Sequence, residues 1–267
     1  MPLKTRIFSQ TIEIMIIIPD IHGRNFWKEA VAGREEDRIV FLGDYLDPYP
    51  HDFPDKTDDE IWEQTWNNFN EIIEFKKSHL KVVLLLGNHD LHYIYSGMDC
   101  GSRYDYKHAA QIKEKFNENK DIFLLAYERT INGKRFIFSH AGIHKSWTAE
   151  WFGPSVTDKN VVDYINNGYL ANDPSFPRAL GQYSAYRGGW ESYGSMVWAD
   201  VREWWSEKPH LSLFGDVQVF GHTQLNDKPI NFWNTYYDLD VRRGFLINDD
   251  GVVCEMDGTP IPIMKKE

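Results

Sequence analysis

Short apolar runs recur along the chain, and five of them end in an aspartate, asparagine or histidine beside a glycine. The runs are too short and too rich in β-branched residues for helices, so each predicts a buried strand. The first, at residues 16–18, is followed by Asp20, His22 and Gly23. The others occupy residues 39–42, 82–86, 136–138 and 217–220. One such junction is typical of a turn, whereas five in one chain indicate a shared site.

Helical patterns separate the first three predicted strands. Asn25 predicts the start of a short helix that runs through Ala30 and ends near Gly33. A capping box at residues 57–60 predicts the start of a second, longer helix. The apolar stripe of this helix, which would pack against a sheet, consists of Trp62, Trp66, Phe69 and Ile73. Strands that alternate with helices predict a parallel or mixed sheet with covered faces.

The second half of the chain is less uniform. Residues 104–119 predict a polar helix and residues 122–127 a strand, and Asn132-Gly133 is a strong signal for a type I′ hairpin turn. The strands predicted after residue 196 lie at 217–220, near 232–239, at 245–248 and at 252–256. We find no clear linker, so the sequence predicts a single domain over residues 1–267, with a less regular insertion around residues 145–190.

Composition narrows the class of protein. Hydrophobic residues make up 42% and aromatic residues 15% of the 267 residues, which indicates a globular chain with a sizeable core. The formal net charge of -11 disfavours nucleic acid or an anionic membrane as the main partner. A phosphate-bearing substrate stays open, because bound divalent cations would reverse the local field.

Cysteine usage and the N-terminal residues suggest a compartment. The chain has two cysteines, Cys100 and Cys254, which cannot form a disulfide framework and fit a reducing environment. The first residues lack the apolar segment of a signal peptide, and no apolar run approaches the length of a membrane span. The sequence therefore predicts a cytoplasmic protein.

The polar residues at the strand ends have the chemistry of metal ligands. Asp20 and His22 are alternate residues of extended chain, so their side chains can lean toward one point. Gly23 then permits a sharp turn of the backbone. Oxygen and nitrogen donors at the carboxyl edge of a sheet suit a transition-metal ion.

The five junctions, taken in order, resemble the motifs of the calcineurin-like metallophosphoesterases, and within them those of the phosphoprotein phosphatase (PPP) branch. The segment Met196-Val197-Trp198-Ala199-Asp200 is similar to a Trp-Ser-Asp segment of that branch, and the resemblance extends over residues 14–256. It implies an α/β (α+β) fold of two mixed β-sheets packed as a sandwich and flanked by helices. Locally, residues 87–92 and 139–143 are also similar to symmetrical diadenosine tetraphosphate hydrolases.

The resemblance implies two metal ions. Asp20 and His22 would bind the first ion, and Asp44 would bridge both. Asn88, His140 and His222 would complete the second site. The mixture of imidazole, carboxylate and amide ligands suits Mn, Fe or Zn better than Mg or Ca, and the sequence does not choose among the three.

The resemblance also implies a general acid. His89 would protonate the leaving oxygen, and Asp47 would hold its ring. The remaining histidines are predicted to be surface or turn residues, with His92 the first candidate for a larger role. They are His51, His79, His92, His108, His144 and His210.

The chain departs from the PPP pattern at two positions where arginines would clamp the substrate phosphate. Pro48 and Leu86 stand there instead, so another cation is required. The candidates are Arg24, Arg103, Arg187 and Arg202, and we favour Arg187 because two glycines follow it. The competing interpretation is that Arg187 pairs with a surface acid. An aromatic cluster could line the cleft, although such clusters are more often core: Trp190, Tyr193, Trp198, Trp204 and Trp205.

The leading functional hypothesis is a phosphoesterase that hydrolyses phosphate monoesters by attack of a metal-bridging hydroxide. Its substrate would be a phosphorylated protein or a small molecule. The nearest alternative is a dinucleoside polyphosphate hydrolase. An inactive binding scaffold is disfavoured, because every ligand position holds a competent residue. The sequence gives no indication of oligomeric state.

Overall fold

The computed structural model describes residues 14–95, 98, 102–205 and 213–264, so the predictions for Cys100 and His210 lie outside the described residues. The strands are β1 Met15–Ile18, β2 Arg38–Phe41, β3 Val82–Leu85, β4 Phe123–Leu124, β5 Ala126–Ile131, β6 Lys134–Ser139, β7 Val217–Phe220, β8 Ile230–Phe232, β9 Tyr236–Asp238, β10 Phe245–Ile247 and β11 Val253–Glu255. The α-helices are α1 Phe26–Val31, α2 Asp58–Ser78, α3 Asn88–Ile94, α4 Ala109–Glu118, α5 Lys145–Phe152, α6 Val161–Leu170 and α7 Phe176–Leu180.

The strands form two mixed sheets. The first has the order β11-β10-β1-β2-β3-β4, in which β1 to β4 are parallel and β10 and β11 are antiparallel to their neighbours. The second has the order β5-β6-β7-β9-β8, in which β6, β7 and β9 are parallel. The type I′ turn joins β5 to β6 as predicted, with φ of 46° at Asn132 and 76° at Gly133.

The two sheets pack face to face, as the resemblance implied. Alternate residues of β1 point to opposite sides, because side chains alternate across a strand. Met15 and Ile17 belong to a buried cluster that also contains Phe136 and Phe138 of the second sheet. Ile16 and Ile18 belong to a larger cluster on the other face. The α/β sandwich flanked by helices is therefore confirmed.

The helices that cover the first sheet begin as the sequence predicted. Thr57 and Glu60 form the capping box of α2, in which each side chain accepts a hydrogen bond from the other residue's backbone N–H. Phe69 and Ile73 of its stripe are fully buried, whereas Trp62 and Trp66 are only partly buried. In the described part of the chain, no helix combines the length and the apolar character that a membrane span requires.

One predicted segment differs from the structure. Residues 122–127 were expected to form one strand, but β4 and β5 belong to different sheets. The amide oxygen of Asn166 accepts hydrogen bonds from the backbone N–H of Leu125 (2.9 Å) and Ala126 (3.1 Å), where the chain passes between the sheets. Within residues 145–190, three helices form, and their buried side chains Trp147, Ile165 and Phe176 join the same cluster as those of α2.

Candidate metal centre and the surrounding cleft

All the predicted ligands lie at the carboxyl ends of parallel strands. Asp20 and His22 follow β1, and Asp44 follows β2. Asn88 begins α3 directly after β3, His140 follows β6 and His222 follows β7. The parallel strands β1, β2 and β3 of the first sheet and β6 and β7 of the second end on the same side of the sandwich, so five separate junctions converge there. All six side chains are buried.

Asp44 is shared by two groups of potential ligands. One group contains Asp20 and His22, the other contains His140 and His222, and the ligand atoms within each group lie within 4.8 Å of one another. Asp44 Oδ2 lies 3.4 Å from both His22 Nε2 and His140 Nε2. A carboxylate in this position can bridge two cations.

The remaining donors gather around His140. Its Nε2 lies 2.9 Å from Asn88 Oδ1 and 3.0 Å from His222 Nδ1. The His222 ring is buried, and its Nε2 has no hydrogen-bond partner among the described residues. Oxygen and nitrogen atoms packed this closely, with one ring nitrogen unpartnered, fit a transition-metal ion.

Backbone groups fix the orientation of the ligands. Nδ1 of His22 donates to the carbonyl of Leu46 at 2.8 Å, and Nδ1 of His140 donates to the carbonyl of Leu42 at 2.9 Å. In the neutral rings, both Nε2 lone pairs therefore point into the site. Asp20 in turn accepts hydrogen bonds from the His222 backbone N–H at 3.1 and 3.2 Å.

The backbone of the site is strained. His22, Asp44, Asp47 and His222 all have positive φ, between 44° and 70°. Non-glycine residues rarely adopt this region, and such residues concentrate at functional sites. Close packing of the surrounding side chains therefore has to hold these four residues in the left-handed conformation.

Two glycines allow the close approach of neighbouring chain segments. A Cβ atom at Gly87 would lie 2.1 Å from Asp44 Oδ1, and one at Gly221 would lie 2.3 Å from Asp20 Oδ1. Both distances are far below van der Waals contact. Larger residues at either position would displace a carboxylate of the site.

Burial and close charges shift the ionisation of the ligands. Burial raises the pKa of Asp20 to about 6 and lowers the pKa of His22 to about 3. Burial opposes the charged form of His140 too, but Asp44 and Asp20 outweigh it and raise the pKa of His140 to about 10. The carboxylates therefore favour positive charge beside His140, which divalent ions would supply, whereas burial disfavours the charged form of His22.

A second buried cluster lies beside the ligands and centres on Asp47. Its Oδ2 is 2.7 Å from His89 Nδ1 and 2.8 Å from His92 Nε2, and Oδ1 accepts a hydrogen bond from the Tyr93 hydroxyl. Burial would raise the pKa of Asp47, but these histidines lower it below its usual value. His89 is thus oriented by Asp47, with Nε2 directed away from the carboxylate.

Some histidine predictions were wrong. His92 and His144 were expected at the surface or in turns, yet both are buried. His92 contacts Asp47, and the His144 ring caps α5 by accepting a hydrogen bond from Ser146. His92 lies in the last turn of α3 and His144 immediately precedes α5, and the burial of both depends on packing that a sequence pattern does not reveal.

A cleft of about 280 Å³ opens over the ligands. It is lined by His22, Asp44, Tyr49, Asn88, His89, Ser102, Arg103, Tyr183, Arg187, Trp198 and His222. Of the predicted aromatic cluster, only Trp198 lines the cleft. Trp204 is fully buried, and Trp190 is 97% exposed.

The favoured arginine does reach the cleft. Arg187 Nη2 donates to the carbonyl of His222 at 3.1 Å and to the Thr223 hydroxyl at 3.0 Å. Its Nε lies 3.1 Å from Asp200 Oδ2. The competing interpretation, that Arg187 pairs with a surface acid, is thus correct in part: Arg187 contacts an acid, but that acid is buried.

Arg103 also lines the cleft. Its Nε donates to the carbonyl of Asp47 at 3.0 Å, and its Nη2 lies 3.2 Å from His89 Nε2. Its guanidinium is stacked 3.5 Å from the ring centroid of Tyr49. No periodicity or motif surrounds Arg103 in the sequence, so only the tertiary structure places it. The other two candidates, Arg24 and Arg202, do not line the cleft.

The roles of three further buried carboxylates were not predicted from the sequence. Asp90 accepts hydrogen bonds from the backbone N–H groups of Asp44, Tyr45 and Gly87, and burial together with the charge of Asp44 raises its pKa well above the usual value. Asp238 and Asp240 are buried at the end of β9. That strand repeats the pattern of an apolar run followed by an acid, which could have identified both.

Comparisons with known proteins identify the family and the fold. A family model described as calcineurin-like phosphoesterase matches residues 15–241. A cold-active protein-tyrosine phosphatase from a psychrophilic Shewanella species has a similar structure, with a TM-score of 0.55 at 16% identity, over 94% of this chain and 81% of that chain. A second structure of a cold-active protein tyrosine phosphatase gives 0.56 at 16% identity, over 93% and 78%.

A more distant match is a protein serine/threonine phosphatase from Saccharomyces cerevisiae with similarity to human phosphatase PP5. Its TM-score is 0.45 at 14% identity, over 90% of this chain and 74% of that chain. At these identities the structural matches concern the fold alone. A search of the curated proteins finds no match in sequence.

Proposed function

The chain belongs to the calcineurin-like phosphoesterase family and is a metal-dependent hydrolase of phosphoesters, and we propose that it removes the phosphoryl group of a phosphate monoester at two adjacent metal ions. The observation that supports two ions is the position of Asp44, 3.4 Å from one histidine of each ligand group. The substrate would be a phosphorylated protein or a small-molecule ester.

The proposed ligands divide into two sets. Asp20, His22 and Asp44 would hold one ion, and Asp44 would share the other with Asn88, His140 and His222. The ions, which would be Mn, Fe or Zn, would neutralise the phosphoryl oxygens and lower the pKa of the attacking water. The carbonyls of Leu46 and Leu42 accept hydrogen bonds from Nδ1 of His22 and His140. These bonds would keep the Nε2 lone pairs of both histidines directed at the ions.

His89 is proposed to protonate the leaving oxygen. Its Nδ1 is held by Asp47 at 2.7 Å, which fixes the ring and leaves Nε2 toward the cleft that His89 lines. Asp47 is itself held by His92 and by the Tyr93 hydroxyl. A donor whose ring cannot rotate delivers its proton along one direction, which is what a general acid requires.

Arg187 is proposed to bind the substrate phosphate, with Arg103 facing it across the same cleft. We expect Arg187→Ala to lower kcat/KM for a phosphate monoester by about 10- to 100-fold, because a charge-assisted contact in a partly desolvated cleft is lost. Arg187→Lys should recover only part of this loss, since an ammonium group cannot form two parallel hydrogen bonds.

The matched control is Arg202→Ala. Arg202 binds the same Asp200, with Nε 2.7 Å from Oδ1, but is 57% exposed and does not line the cleft. Its removal should leave kcat/KM unchanged. Arg103→Ala and Arg24→Ala are measured beside it, with metal content checked in each. A neutral Arg187→Ala together with a collapse in one of the others would place the phosphate contact elsewhere.

A metal analysis and a substrate panel test the proposed function. Protein purified without added metal is analysed for Mn, Fe and Zn, reconstituted with each, and assayed on a phosphopeptide, a small phosphate monoester and diadenosine tetraphosphate. We expect two ions per chain and a preference for the monoesters. Preference for diadenosine tetraphosphate would favour the dinucleoside polyphosphate alternative, and metal binding without any hydrolysis would favour a binding scaffold.

A further inference from the structure

A second cavity, of about 320 Å³, lies beside the cleft. It is formed by the loop after β2, the first turns of α2, and α4. Its lining consists of Leu46, Asp47, Pro48, Pro50, Asp58, Ile61, Trp62, Thr65, Arg103, Asp105 and Ile112. Leu46, Ile61 and Ile112 are buried at its floor, whereas Pro50 and Asp58 are exposed at its rim. The cavity therefore opens to solvent and has an apolar interior.

Arg103 connects the second cavity to the catalytic cleft, because its side chain lines both. Its Nη2 lies 3.2 Å from His89 Nε2, the atom from which the leaving oxygen would take its proton. Asp47, which holds the other nitrogen of that ring, also lines the second cavity. The second cavity therefore begins beside the atom that would protonate the leaving oxygen.

The charges around the second cavity limit which leaving groups it can bind. Three of its lining residues are acids, Asp47, Asp58 and Asp105, and Arg103 is the one cation among the residues named above. That guanidinium already donates to the Asp47 carbonyl. A leaving group that carries further phosphates would meet net negative charge here, whereas an uncharged ring would bury apolar surface against Ile61, Trp62 and Ile112.

We propose that the second cavity is the leaving-group subsite of the enzyme and that it takes an uncharged, ring-bearing alcohol, such as that of an aryl phosphate. This inference rests on the proposed function. In the reaction, the phosphorus–oxygen ester bond breaks as the oxygen of water bonds to phosphorus. The alcohol oxygen receives a proton from His89, and the alcohol remains in the cavity until it diffuses through the open rim.

The test compares two aryl phosphates of matched leaving-group acidity, phenyl phosphate and 2-naphthyl phosphate. In the wild-type protein we expect kcat/KM for the naphthyl ester to be about tenfold higher, because the second ring buries additional apolar surface. Ile61→Trp, which fills the cavity from its wall, should abolish that ratio. Ile263→Trp is the matched control, because it places the same side chain at an exposed position, and it should retain the ratio.

Wild-type product inhibition gives a measurement that does not depend on the folding of a variant. Competitive inhibition by 2-naphthol should be about tenfold stronger than inhibition by phenol. Equal inhibition constants, or an Ile61→Trp variant that slows both esters alike, would overturn the leaving-group subsite while leaving the phosphoesterase intact. Hydrolysis of a phosphopeptide without hydrolysis of either aryl ester would likewise overturn the subsite, whereas failure of the reconstituted wild-type protein to hydrolyse any phosphate monoester would overturn the proposed function.

Discussion

Asp44→Asn is expected to leave a folded protein whose kcat/KM for phosphate monoesters has fallen by several orders of magnitude. Asp44 Oδ1 accepts a hydrogen bond from the His89 backbone N–H at 2.9 Å, and an asparagine would keep its carbonyl oxygen there. Its NH₂ group would then occupy the position of Oδ2, between His22 and His140. A hydrogen-bond donor at that point cannot ligate either ion, so both would be weakened together.

The measurement pairs steady-state kinetics with metal content by mass spectrometry and with the thermal midpoint. Asp163→Asn, the same change at an exposed position of α6, serves as the control and should behave as the wild type. If Asp44→Asn retains two ions per chain and turns over at a rate close to that of the wild type, Asp44 does not bridge the ions. A loss of activity accompanied by unfolding would instead show a structural role.

His89→Ala is expected to retain both ions and to slow esters of poor leaving groups by roughly 10²- to 10⁴-fold, the usual contribution of a general acid. p-Nitrophenyl phosphate should lose far less, because its leaving oxygen needs little protonation. The dependence on the leaving group separates proton donation from a simple loss of packing, since a structural defect would slow all esters equally.

The control for this variant is His79→Ala, which removes a histidine whose ring binds the carbonyl of Phe75 near the end of α2 and does not line the cleft. It should leave both esters unaffected. Equal losses on the two esters in His89→Ala, with metal content unchanged, would contradict the assignment of His89 as the acid. A loss of metal would show that His89 is a ligand or supports one.

The fold and the ligand positions could be predicted because both depend on local signals. An apolar run of four or five residues specifies a buried strand, and the polar residue after it must lie at the strand's end whatever the remaining packing. The capping box of α2 and the Asn132-Gly133 turn are equally local. These signals place Asp20, Asp44 and His140 at strand ends, but β6 belongs to the second sheet, so their convergence was implied by the family resemblance and not by the local signals.

The roles that the sequence left open or did not reveal belong to residues whose environment is created by distant segments. Arg103 reaches the cleft from an irregular segment, and its position depends on Tyr49 and on the Asp47 carbonyl. Asp90 belongs to a recognisable motif, but its role in holding the backbone of Asp44 appears only when β2 and β3 are paired. The break between β4 and β5 likewise depends on Asn166, in a helix formed 40 residues later.

The contact between Asp20 and the His222 backbone joins residues 202 positions apart, and this separation has a consequence for how the protein is made. Asp20 and His22 are synthesised long before His222, and the second ligand group stays incomplete until β7 has been synthesised and paired with β6. Contacts of such large sequence separation form late in folding, because the loop they close must be ordered first. The metal ions should therefore stabilise the finished native state without accelerating its formation.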